Sequence, residues 1–286
     1  MMKKTILKGL ALGCIAVVLA CNGNKGKDAE SSANSTEDAA IMNTGDMLRL
    51  DSIGLELQDS IAEIHYTVFW PVSDKSVLAD SIRRFIAKTV GDETADLTDA
   101  KAFLAKRMQA KYKELKDEYA EMSGEVEFEV PTMEYDCNIT REYETDQYIT
   151  LATLIYEYHG GAHGGALGIS STFSKADGRR MGYNLLKNTD SEGFRKLIKE
   201  GLYEYFSSND VEIKNDEQLL DMLTIEGGID QLPLPFYDPW LTSEGFVFCY
   251  QQYEIAPYAM GMPAFTVSYE KILPYLTDEA KSLLKL

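Results

Sequence analysis

Two histidines four residues apart, His159 and His163, stand in the run Glu157-Tyr158-His159-Gly160-Gly161-Ala162-His163-Gly164-Gly165. Imidazoles at that spacing bind zinc when a helix turns both to one side, as in the His-Glu-x-x-His motif. Here two glycines intervene and the flanks read as strand. The sequence therefore favours histidines of a tight turn bonded to backbone over a metal pair. The third histidine of the chain, His65, is distant in sequence. The glycine run holds no serine between its glycines, so it is not a nucleophile elbow. Neither Lys-Ser nor Lys-Thr follows it, so it is not a phosphate loop. With 46 acidic residues, carboxylate pairs like those of glycoside hydrolases arise by chance. No catalytic residue, metal or cofactor is expected.

The elements around this run give it its shape. Tyr148 to Tyr158 reads as a strand apolar on both faces. Tyr148, Ala152, Leu154, Tyr156 and Tyr158 share one face, and Ile149, Leu151 and Ile155 the other. That pattern predicts a central strand covered on both sides. After the glycines, Leu167, Ile169, Ser171 and Phe173 alternate as a return strand. A second stiff loop, Tyr253-Glu254-Ile255-Ala256-Pro257-Tyr258-Ala259-Met260-Gly261-Met262-Pro263, comes late in the chain. Its Tyr258, Met260 and Met262 suit a contact surface, with Tyr258 the leading candidate.

The ends and the charge set the setting. Lys3, Lys4 and Lys8 precede a short apolar stretch, Leu10 to Ala20, too short to span a bilayer. It closes on Val18-Leu19-Ala20-Cys21, which resembles a bacterial lipoprotein signal with Cys21 as the lipidation site. Residues 1–20 are read as signal peptide and 21–45 as a flexible polar tether. Acyl chains on Cys21 would hold the protein on the extracytoplasmic side of a membrane in the cell envelope. The chain carries 28 basic and 46 acidic residues, a net charge of −18. That excludes nucleic acid as a natural partner and favours capture of a cationic one.

Residues 46–146 read as strand, helix, helix, strand. Ile61 to Trp70 is the first strand. Ser76 to Val90 is a helix with Val77, Leu78, Ile82, Phe85 and Ile86 inward, ended by Gly91. Leu97 to Met122 is a longer helix with Phe103, Leu104, Met108, Leu115, Tyr119 and Met122 as its core stripe. From Glu125 to Thr145 the apolar parity changes at Pro131, from Val126, Phe128 and Val130 to Met133, Tyr135, Cys137 and Ile139. That phase change predicts a bulge or bend at the proline. Residues 147–286 add the central strand and a helix opened by the capping box Thr189-Asp190-Ser191-Glu192. A shorter helix follows at Glu217 to Leu223. Two short strands flank Ser243-Glu244-Gly245, and a last strand and closing helix follow. Both parts are expected to share one sheet. The fold class is α+β, with a mainly antiparallel sheet and helices packed mostly on one face. Cys137 and Cys249 each fit an apolar strand face, and two free thiols are favoured over a disulfide.

Two stretches together carry a family resemblance: Tyr158-His159-Gly160-Gly161-Ala162-His163-Gly164 followed by Phe173-Ser174-Lys175-Ala176-Asp177-Gly178, and Tyr253-Glu254-Ile255-Ala256-Pro257-Tyr258 with Gly261 leading into a strand. Over roughly residues 61–286 the chain resembles the extracytoplasmic domain shared by the anti-sigma factor RsiV and some peptidoglycan deacetylases, which is also common in envelope lipoproteins. In RsiV that domain is a lysozyme receptor. The resemblance implies lysozyme, or another cationic protein directed at the envelope, as the partner. This chain has a lipoprotein signal and tether where RsiV has a cytoplasmic segment and a membrane-spanning helix, so anti-sigma activity is not implied. It lacks a deacetylase domain, so that activity is not implied either. The expected contact residues are His159, His163, Pro257, Tyr258, Met260 and Met262. An enzyme acting on envelope glycans and a structural lipoprotein without a ligand are the alternatives.

Overall fold

The strand from Tyr148–Tyr158 (β4) lies inside the larger of two sheets, as predicted, but it is buried on both faces only from Tyr148 to Leu151; Ala152, Leu154, Tyr156 and Tyr158 are half-buried, against the expectation of cover on both sides. The computed structural model describes residues 47–72, 75–125, 129–208 and 213–286. The residues expected to be signal peptide and tether, Cys21 among them, lie outside the described residues, as do Val126 and Phe128. No helix among the described residues is long and apolar enough to cross a membrane.

The chain enters on β1 (Leu50–Gln58) and β2 (Ala62–Pro71), then passes through α1 (Val77–Thr89) and α2 (Ala100–Glu125) into β3 (Met133–Glu144) and β4. After β4 come β5 (Gly165–Gly168), β6 (Ser171–Ser174) and β7 (Arg180–Met181). These strands form the larger sheet in the order β1-β2-β3-β4-β6-β7, with β5 also paired to β4. All pairs are antiparallel except β2–β3, which the α1–α2 crossover makes parallel. α3 (Glu192–Ser208) and α4 (Asp216–Asp221) follow. A second, three-stranded sheet is built from β8 (Trp240–Leu241), β9 (Gly245–Cys249) and β10 (Ala264–Ser268), and α5 (Tyr269–Ile272) and α6 (Asp278–Leu284) close the chain. The architecture is α+β and mostly antiparallel.

Two cores result. Strict alternation in β2 and β3 sends Ile64, Tyr66, Val68, Tyr135, Cys137 and Ile139 to one face, where α1 and α2 cover them. The α2 stripe holds: Phe103, Leu104, Met108 and Leu115 are buried, and Tyr119 and Met122 pack at the margin. α1 begins one residue beyond its cap, Ser76, whose Oγ accepts from Ala79 N at 3.2 Å. That register leaves Val77 exposed rather than inward. The second core gathers Tyr148, Phe194, Ile198, Phe206, Phe246, Phe248 and Tyr250 between α3 and the second sheet. The sheets meet at two buried threonines. Thr150 Oγ1 donates to Leu241 O at 2.7 Å, and Leu241 N donates to Thr172 Oγ1 at 2.9 Å. These hydroxyls replace the neighbouring strand that β8 lacks on that side.

Several expectations need correction. The residues after 146 do not all join one sheet, because β8 to β10 pair only with each other. The division at 146/147 falls in the turn between β3 and β4, which pair along most of their length. β1 is an additional edge strand. The ladder irregularity lies between Arg141 and Tyr143, while Pro131 precedes β3, which starts only at Met133, and so carries no bulge of the ladder. The return strand breaks at Ile169 and Ser170 into β5 and β6. The cap of α3 is Ser191, whose Oγ accepts from Phe194 N at 3.3 Å, rather than Thr189. Cys137 and Cys249 are both free and buried.

Candidate functional site

The glycine loop and the proline loop meet. Gly160 and Gly161 take φ of +90° and +87°, a conformation open to glycine, and turn the chain sharply after β4. A Cβ at Gly164 would stand 2.4 Å from the Tyr156 hydroxyl and 2.6 Å from Glu157 O, so only glycine lets the loop pass so close to β4. This brings His163 face to face with Tyr258 of the second loop. Their ring centroids are 3.6 Å apart and the planes 14° from parallel.

The proton on His163 follows from its partners. Nδ1 lies 2.9 Å from Gly164 O, which can only accept, so Nδ1 donates. In the neutral ring Nε2 then accepts from the Tyr253 hydroxyl at 3.1 Å. Tyr253 completes a three-ring cluster, 5.8 Å from Tyr258. Its backbone has φ +65°, costly for a bulky residue, and its side chain is 61% exposed. The turn is held by Glu254, whose Oε2 accepts from Gln251 N at 2.7 Å and whose Oε1 accepts from Phe236 N at 2.6 Å. Phe236, 81% exposed, is thereby fixed on the neighbouring loop. Gln251 and Gln252 tie the same turn to β5. Gln252 Oε1 accepts from Ala166 N at 2.8 Å, while Gln251 accepts from Gly168 N at 2.9 Å and donates to Gly168 O at 2.8 Å. Two side-chain amides so occupy hydrogen-bonding groups of β5.

His159 is placed differently. Its Nδ1 donates to Glu118 Oε2 of α2 at 2.7 Å, not to backbone. Nε2 lies 3.3 Å from Glu157 Oε2 but is not aligned for a hydrogen bond. Lys111 Nζ continues the chain of charges, 3.4 Å from Glu157 Oε1 and 4.8 Å above the Tyr135 ring. His159 thus belongs to a contact between α2 and the end of β4, apart from the three-ring cluster. Among the described residues, no group of three or more His, Cys, Asp or Glu is arranged to hold a metal ion.

The expected contact residues therefore divide. His163 and Tyr258 are brought together, and Pro257 is exposed beside them. Met260 instead packs against the second core, its carbonyl accepting from the Tyr205 hydroxyl at 2.7 Å, and Met262 is half-buried. Tyr253 and Phe236 are the exposed aromatics that sequence reasoning missed. No local signal marks Phe236 beyond its place among Pro233, Pro235 and Pro239, while Tyr253 was visible as a residue flanking the loop.

Comparison with known proteins gives two regional likenesses. Residues 57–166 match the family model described as "Deacetylase PdaC", and residues 184–270 match the one described as "Protein of unknown function (DUF3298)". No curated protein matches the chain significantly. A DUF3298-family crystal structure from Bacteroides fragilis is similar at 18% identity and a TM-score of 0.64, covering 82% of this chain and 96% of that one. Another from Pseudomonas aeruginosa is similar at 14% identity and a TM-score of 0.57, covering 82% and 97%. At these identities the likeness is one of fold alone.

Proposed function

We propose that this chain is a lipid-anchored envelope protein whose joined loops bind a cationic protein of the lysozyme type. The observation that carries the reading is the His163–Tyr258 stack, because it turns two separate loops into one aromatic surface. Tyr253 stands out of that surface in a strained backbone conformation held by Glu254 and His163. Rigid, partly exposed aromatics lose little freedom on binding and are common anchors of interfaces. The net charge of −18 favours rapid encounter with a cationic protein. The resemblance to the RsiV domain supplies lysozyme as the first partner to test. Anchoring through Cys21 places the domain where such proteins arrive.

The test is an unbiased pull-down with the folded part, offered lysozymes and peptidoglycan fragments. Retention of lysozyme at low salt, weakened as salt rises, is expected. Retention of glycan fragments with no protein partner would favour the enzyme or glycan-binding alternative instead.

A further inference from the structure

α1 and α2 cover one face of the larger sheet, and the second sheet covers part of the other. Over β1, β2, β3 and the distal half of β4 the side chains of that other face are half-exposed or exposed among the described residues, and they stand in transverse rows. One row runs Glu56, His65, Asp136, Tyr156 across β1 to β4. The next runs Gln58, Glu63, Glu134, Tyr158. Neither contains a lysine or arginine. A solvated face is ordinary for such a sheet, but interspersed opposite charges are the stable choice. Here three carboxylates surround one imidazole, and a fourth, Glu134, stands beside Glu63 in the next row. His65 Nε2 lies 3.4 Å from Glu63 Oε1 and 3.9 Å from Glu56 Oε1, and Nδ1 lies 3.6 Å from Asp136 Oδ1. Nε2 makes no hydrogen bond.

The arrangement opposes itself. Glu63 and Glu134 are register partners on adjacent strands, and like charges placed so destabilise a sheet. Partial burial, then Glu63 and Asp136, push the Glu134 carboxyl above its usual range. Partial burial raises Asp136 as well, with His65 opposing and Glu63 adding to the rise. The face also runs into the loop surface. Tyr156 ends the first row, and its hydroxyl lies against Gly164, one residue from His163.

We propose that this sheet face is the second half of the docking surface, and that it receives lysine or arginine side chains of a cationic protein seated on His163, Tyr253 and Tyr258. The proposal rests on the loop reading above and deepens it. The occupant is argued from charge. A single-signed, self-repelling face is relieved by cations, and its open β-surface suits a protein that lays several across it. The aromatic loops then fix orientation, and the sheet supplies the electrostatic capture.

The experiment uses the full chain in detergent, with lysozyme as probe. The triple variant Glu63→Gln, Glu134→Gln, Asp136→Asn is compared with a control of equal charge change on the helix side, Asp80→Asn, Asp117→Asn, Glu121→Gln. Association is measured at about 0.02 M and about 0.3 M salt. The sheet triple is expected to associate about tenfold or more slowly at low salt, with a flattened salt dependence and a melting temperature no lower than wild type. The control is expected to lose about threefold or less. Equal slowing in both triples, or none in the sheet triple, overturns the proposal. If wild type does not bind lysozyme, the loop reading falls, and polylysine then judges the face alone. Binding of polylysine to wild type and control but not to the sheet triple upholds a cation-docking face, and equal binding by all three overturns it. Thermal protection of wild type by calcium, lost in the sheet triple, would reassign the face to a metal ion and also overturn it.

Discussion

His163 and Tyr258, 95 residues apart in sequence, lie ring on ring at 3.6 Å and nearly parallel. Stacked aromatic pairs contribute about 0.5–1.5 kcal/mol beyond their buried area. That is enough to order two loops already stiffened by glycine turns and prolines. It is too little to make the fold depend on them, which lets the loops be altered without unfolding the domain.

The fold depends more on Glu144. Its carboxylate is 1% exposed and meets Arg141 at 2.6 Å and Lys175 at 2.7 Å, and it accepts from Leu48 N at 2.6 Å. Removing one member of a buried charged network strands the others. Glu144→Ala is expected to cost roughly 3 kcal/mol in denaturant unfolding. Glu144→Gln should cost less, because the amide oxygen keeps the Leu48 bond. Amide exchange in β1 should quicken in both, since Leu48 leads into that strand. An Ala variant as stable as wild type would show that the network contributes nothing.

Glu142 sets a pH dependence of opposite sign to the usual carboxylate. Burial raises its carboxyl above the reference value of 4.5, with Trp240 and Ser170 partly opposing. A raised folded-state value means that the ionised form is disfavoured in the native protein. The cost is present in full at neutral pH. It fades as pH falls through the raised value and is gone below the unfolded value of 4.5. Glu142→Gln, which keeps an acceptor for Trp240 Nε1 at 3.2 Å, should therefore stabilise the protein near neutrality and change little near pH 4. Thermal melts across that range check it, and a stability gain independent of pH would contradict it.

The thiols should be inert. Burial pushes Cys137 and Cys249 up to about 12 each, so almost no thiolate exists at neutral pH. With Cys14 and Cys21 replaced by serine, the native protein should react negligibly with a thiol reagent. The denatured, unreduced protein should titrate two equivalents. No titratable thiol after denaturation would mean a disulfide.

The anchor is tested by Cys21→Ser. The substitution removes the proposed acylation site, and the protein should then move from the membrane fraction to the soluble fraction. Unchanged partition would contradict the lipoprotein reading.

Much of the larger sheet was legible in sequence. β4 was readable from residue 148 to 158 because each face carries its own apolar set, and α2 because a six-residue stripe repeats at helical spacing. β1 was not, since Leu50, Ile53, Leu55 and Leu57 are only half-buried at an edge, between Asp51, Gly54 and Glu56. The strands of the second sheet were readable, but their separation from the first was not, because the link between the sheets runs through Thr150 and Thr172, whose hydroxyls carry no pattern. At the candidate site, the two loops were identifiable from their glycines and prolines. Which side chain faces outward was not. Tyr253 is exposed and Met260 is not because Gln251, Gln252 and Glu254 bond to β5 and to the loop carrying Phe236, and these partners lie far off in sequence.

The central claim is that the joined loops bind a cationic protein through their aromatic rings. Its most direct measurement is the affinity of lysozyme for the folded part, wild type against Tyr258→Ala, at low salt and with the melting temperature recorded for both. Loss of the ring should weaken binding about tenfold or more, chiefly through faster dissociation, while lowering stability by about 1 kcal/mol. Unchanged affinity in a folded Tyr258→Ala protein, or no lysozyme binding by wild type, would contradict the account.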